Sequence, residues 1–153
     1  MIRAPLVLSA LLALAACAPV APAASVAPVD ETPRAFVSEG GFLAPLKNGG
    51  RVQLADGWAQ LYFAPYPPQA RTDLDVVVYD GATGRPASAD VSIAYEMLGM
   101  EHGVVTQRAA PGAPGHHRIP LNLGMPGMWR FQLKVLHGGA TSTVLLIVPE
   151  VGP

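Results

Sequence analysis

Two short segments hold most of the side chains of this chain that could grip a soft metal ion. "YEMLGMEHG" (95–103) carries Met97, Met100 and His102, and "LGMPGMWRF" (123–131) carries Met125 and Met128. Apart from Met1, these four are all the methionines the protein has. A thioether is a neutral, soft donor that selects Cu(I) over hard cations, and imidazole also suits copper. The spacing favours convergence. Pro126-Gly127 is the preferred central pair of a type II turn, which would bring the α-carbons of Met125 and Met128 within about 7 Å. Met100 and His102 fall on one face of an extended segment.

Each of these residues also has a plainer use. Met97 is in phase with Val91, Ile93 and Tyr95, so core packing competes with ligation there. Met100 and His102 lie past the clean alternation, where a ligand role is the better reading. Met125 and Met128 flank a turn, where capping the end of a fold is the alternative. His116 falls on an outward phase with Arg118, His117 on an inward phase that suits a buried histidine, and His137 ends a run at Gly-Gly and is expected to be exposed.

The amino terminus bears on where such a site would work. Met1 to Arg3 is a short basic stretch, followed by an apolar run too short to span a membrane as a mature helix. It leads into Leu14-Ala15-Ala16-Cys17, which resembles a bacterial lipobox, and Cys17 is the only cysteine. Residues 1–16 therefore read as a lipoprotein signal peptide, and 17–34 as a lipidated Cys17 with a Pro/Ala-rich tether. At about 3 Å per residue where polyproline-like, the tether reaches on the order of 50 Å. Lipidation of Cys17 leaves no thiol for a disulfide or a thiolate ligand. Ala18, in place of Asp, favours the outer of two membranes, facing the periplasm. With 10 basic against 11 acidic residues the chain offers no basic footprint for nucleic acid.

From residue 35 to about 150 the chain has the length of one domain. No long stretch carries the 3.6 period of a helix, and Gly or Pro interrupts often. Short alternating runs stand out instead at 73–80, 90–97, 116–123 and 129–137, and "TSTVLLIV" (141–148) is apolar on both faces like a central strand. "NGG" (48–50) and "HGG" (137–139) suit hairpins, and "DGATGRP" (80–86) is a loop by composition. The pattern predicts an all-β, immunoglobulin-like antiparallel β-sandwich of about seven strands. A core of that size is expected to fold without a disulfide or metal.

The stretch "APYPPQARTDLDVVVYDGATGRPASADVSIAYEMLGMEHG", followed by "LGMPGMWRFQLKV", resembles the YtkA-like/FixH-like domain of bacterial envelopes over about residues 51–148. Its most specific pieces are M-x-x-M-x-H and M-P-G-x-W. The resemblance implies a small copper-handling β-sandwich, found in settings of copper trafficking and oxidase assembly. Where the family often has Gly-x-Tyr, this chain has Gly115-His116-His117, which adds imidazoles and removes an aromatic.

No G-x-S-x-G, H-E-x-x-H or phosphate-binding loop is present, so neither an enzyme nor a small-molecule substrate is expected. Asp73 and Asp75 alternate along a strand and read as solvent-face charges. Two functions remain. One is a lipid-anchored periplasmic Cu(I) carrier or chaperone, with Met100, His102, Met125, Met128 and Met97 as its ligands, serving an envelope cuproprotein such as an oxidase or a copper exporter. The other is a metal-free sandwich acting as an adaptor or assembly subunit of an envelope complex.

Overall fold

The computed structural model describes residues 34–152 apart from Gly40 and His102. The proposed signal peptide, Cys17, the tether up to residue 33 and His102 lie outside the described residues. Eleven strands occur among the described residues, and no helix: β1 (Ala35–Glu39), β2 (Phe42–Leu46), β3 (Gly50–Leu54), β4 (Gly57–Ala64), β5 (Arg71–Asp80), β6 (Asp90–Met97), β7 (Val105–Arg108), β8 (Ala110–Pro111), β9 (His116–Asn122), β10 (Gly127–His137) and β11 (Ala140–Val151). Accordingly no helix among them is long and apolar enough to cross a membrane.

The strands form two antiparallel sheets packed as a sandwich, in the orders β2-β1-β11-β10-β6-β7 and β3-β4-β5-β9-β8. Taken alone, β4 to β11 reproduce the immunoglobulin arrangement: β4-β5-β9-β8 stand as A-B-E-D, and β11-β10-β6-β7 as G-F-C-C′. The count of about seven is thus too low. The β1–β2 hairpin extends one sheet beyond β11, and β3 extends the other beyond β4. The short β7 and β8 carry almost no apolar alternation, so their place comes from pairing with β6 and β9 rather than from their own pattern.

Alternation decides what is buried. In β10, Trp129, Phe131, Leu133 and Val135 point inward while Arg130, Gln132, Lys134 and Leu136 face out. Between the sheets the aromatics cluster: the Phe131 ring centroid is 5.8 Å from that of Tyr95 and 6.4 Å from that of Phe63, and Tyr95 lies 6.0 Å from Trp129. These spacings fall in the range of favourable tilted ring pairs.

The "HGG" hairpin is present, with His137 paired to Ala140 across Gly138 and Gly139, both at positive φ (59° and 87°) as a type I′ turn requires. "NGG" does something else. It joins β2 to β3, which belong to different sheets, so it is a crossover and not a hairpin. The side chain of Asn48 fastens it by donating to the Phe63 carbonyl (3.1 Å) and accepting from the Phe63 N–H (2.7 Å).

Candidate metal centre

The two methionine segments, far apart in sequence, meet at one end of the sandwich because β6 and β10 are antiparallel neighbours. Met97, the last residue of β6, stands opposite Trp129 near the start of β10. One residue on, the Leu98 N–H donates to the Met128 carbonyl at 2.8 Å. The chain then turns at Leu98-Gly99 and presents Met100. Met100, Met125 and Met128 are exposed, at 46%, 38% and 44%. Single exposed apolar side chains are ordinary on protein surfaces. Met100 follows the end of β6, and Met125 and Met128 flank the start of β10, so three exposed thioethers stand at the same end of the sandwich.

Met97 differs from the other three. It is half-buried and packed against the core, on the inward phase of β6. Its methyl group lies directly over Gly127, where a built Cβ would fall only 2.5 Å from it. Met128 leaves β10 on the outward phase, toward the opposite face of the sheet. Met97 therefore serves the packing between the strand ends, and the thioethers open to an approaching ion are those of Met100, Met125 and Met128.

The Met125–Met128 bend is not the expected type II turn. Gly127 has φ of 146°, well beyond the value of about 80° that turn needs. The register between β10 and β11 also shifts there, between Gly127 and Trp129. The Met125 N–H donates to the Leu123 carbonyl at 2.6 Å, and the Met125 carbonyl accepts from the Trp129 indole Nε1 at 3.2 Å. Both backbone groups of Met125 are thus tied to the sandwich while its side chain stays open. The indole of Trp129 itself is buried, 7% exposed.

The histidines of the described residues lie toward the other end. His116 and His117 open β9, and the methionine bend follows that strand's end. His116 is exposed and His117 buried, as their phases imply. His117 Nε2 has no hydrogen-bond partner among the described residues. Burial lowers the pKa of His117, the neighbouring His116 lowers it further, and Asp90 opposes both. His137 corrects the expectation of exposure: its side chain is only 12% exposed. Nδ1 lies 3.1 Å from the Ser88 carbonyl and Nε2 3.6 Å from Asp80 Oδ2, so the ring closes the loop 80–88 against the hairpin. Asp80 in turn is held below the ordinary carboxylate value, chiefly by hydrogen bonds from the Thr83 hydroxyl and N–H.

Among the described residues no three of His, Asp or Glu gather in a way that could hold an ion. The donors that the described residues expose at the methionine end are the thioethers of Met100, Met125 and Met128, which suit Cu(I) and its analogue Ag(I) and suit Mg²⁺ or Ca²⁺ poorly. Comparison with family models, with curated proteins and with solved structures finds no match to this chain, and the chemistry of the site rests on its own residues.

Proposed function

We propose that this protein is a periplasmic, lipid-anchored Cu(I)-binding carrier that exchanges the ion with an envelope cuproprotein, such as an oxidase or a copper exporter. The observation that carries the reading is the juxtaposition of the end of β6 with the start of β10, which sets the exposed Met100, Met125 and Met128 at the same end of the sandwich. His102 belongs to the same short segment and is assigned as a further ligand on its sequence position. Met97 stands behind them as packing and joins the ligand set only if its side chain swings out from Gly127.

Exposure suits a carrier better than a store. A partner's donor can approach an exposed thioether-bound ion and replace the ligands one at a time, with no unfolding of the sandwich. Neutral sulfur ligands also leave the ion's positive charge uncompensated, which keeps binding reversible. The anchor reading rests on the Leu-Ala-Ala-Cys sequence, and the tether would let the domain move between partners at the membrane surface.

The test is titration of the chain from Glu31 onward with Ag(I), and with Cu(I) against a chromophoric chelator. Expected is one ion per chain, with binding sharply weakened in Met100→Leu, Met125→Leu and His102→Ala but not in His116→Ala or His137→Ala. Leucine approximately preserves volume and apolarity, at a cost below about 1.5 kcal/mol, so it separates ligation from packing. Unchanged affinity in the Met100→Leu/Met125→Leu double variant would overturn the carrier reading. The adaptor reading would then take its place. One observation favours that alternative: Phe42 and Leu43, at the tip of the β1–β2 hairpin, are 81% and 56% exposed.

A further inference from the structure

The outer face of the sheet β3-β4-β5-β9-β8 is shaped, which an idle solvent face need not be. Trp58 and Tyr79, opposite each other on β4 and β5, stack at 5.3 Å with an interplanar angle of 8°. The Arg51 guanidinium carbon lies 4.0 Å from the centroid of the Trp58 ring. The Tyr79 hydroxyl donates to Gln60 Oε1 at 2.9 Å. Tyr62, farther along β4, lies so close over Gly49 that a Cβ there would sit 2.6 Å from its ring. Both tyrosines are thus held in place before any ligand arrives. Packing on several sides makes these rings rigid, which lowers the entropic cost of binding against them.

Between the tyrosines and β9 runs a groove of about 700 Å³, lined by Tyr62, Val77, Tyr79, Asp75, Arg118 and His116, with Pro111 at its far wall. Val77 points outward yet is only 5% exposed, so the side chains around it build a walled depression with an apolar floor. Trp58 covers one side of Tyr79 and takes no part in the groove, which lies on the ring's other side. Asp75 and Arg118 form a rim pair, with Arg118 Nε 2.9 Å from Asp75 Oδ1 and Nη2 3.5 Å from Oδ2. Their charges offset each other, so the lining favours neither an anion nor a cation.

We infer that this groove is a binding site for a neutral oligosaccharide of N-acetylated amino sugars. A pyranose ring has an apolar C–H face, which tyrosine rings accept, and a rim of hydroxyls. A pair of adjacent hydroxyls can donate to the Asp75 carboxylate and accept from the Arg118 guanidinium together. An acetamido methyl suits the apolar floor made by Val77. The volume lies within the range of about 300–1,000 Å³ typical of such sites. A proline-rich peptide would use the aromatic walls but leave the Asp75–Arg118 pair with nothing to bridge. The inference is independent of the metal reading, because the groove shares no residue with the methionine end.

The experiment is calorimetric or NMR titration of the full chain, in a detergent without a sugar headgroup, with a linear tetramer of N-acetylglucosamine. Expected is saturable binding, retained in Tyr62→Phe and weakened about thirtyfold or more in Tyr62→Ala, the size of a binding hot spot. Asp75→Asn should weaken it as well, and it is the variant to use if Tyr62→Ala does not fold. Ag(I) binding should be the same in all of them. No saturable binding by the tetramer would overturn the proposal, as would affinity equal to the parent's in both Asp75→Asn and Tyr62→Ala, or tighter binding of a proline-rich peptide in the same groove.

Discussion

Gly127 links the fold to the methionine end, and Gly127→Ala tests how. Two costs attend the change. An alanine held at φ of 146° sits where L-residues are rarely found, which costs about 1–3 kcal/mol. Its Cβ would also fall 2.5 Å from the Met97 methyl, which must then move, whereas Met97 Sδ at 3.8 Å need not. Met97 moves its end by rotating one flexible bond, for about 0.5–1.5 kcal/mol. A small offset of about 0.4–1 kcal/mol comes from the stiffer unfolded chain. The net expectation is a loss of about 2 kcal/mol, with the backbone strain as the larger part. At about 4 °C per kcal/mol, Tm should fall by roughly 8 °C. Urea denaturation of the single variants and of Gly127→Ala/Met97→Ala closes a double-mutant cycle. If strain dominates, Gly127→Ala remains costly in the Met97→Ala background, with coupling below about 1.5 kcal/mol. Stability of Gly127→Ala within about 0.5 kcal/mol of the parent would refute a strained, closely packed junction between Gly127 and Met97.

The other expectations are simpler to check. Because burial depresses the pKa of His117, the unfolded chain takes up a proton below the ordinary value of 6.5 that the folded chain refuses. Stability should therefore fall as pH drops through that value and level off below the folded-state pKa. His117→Asn should flatten this slope in urea midpoints measured against pH, and an unchanged slope would assign it to other groups. Phe131, fully buried between Tyr95 and Phe63, should cost about 3–5 kcal/mol as alanine in equilibrium unfolding, and a loss below about 1 kcal/mol would contradict its place at the centre of the core. Cys17→Ser should release the protein from the membrane fraction of the expressing cell. Retention with unchanged processing would remove the lipid anchor from the proposed function.

The alternation of "DLDVVVYD", "DVSIAYEM", "HHRIPLNL" and "WRFQLKVLH" is a local property, and it was enough to establish strands, their inward faces and a sandwich. It also placed His117 inside and His116 outside, since period 2 ties each side chain to a face. In β4, Ala59, Leu61 and Phe63 carry the same signal, which the glycines and prolines around them obscured. Confinement of the thioethers to two segments was likewise legible from residue types alone. Which strands pair is a non-local matter, and the tertiary structure decided it. Pairing of β6 with β10 brought Met97 opposite Trp129 and the Leu98 N–H to the Met128 carbonyl. It also separated Met97, packed inward over Gly127, from Met128, facing out. Pairing across β4, β5 and β9 assembled Tyr62, Tyr79, Asp75 and Arg118 around Val77, residues on three strands that no single window of sequence shows together. His137 departs from its local pattern for the same reason. Its Gly-Gly turn promised exposure, but the loop 80–88, distant in sequence, folds over the ring. A strand's own residues determine which face is apolar, and only its neighbours determine what that face, or the opposite one, will meet.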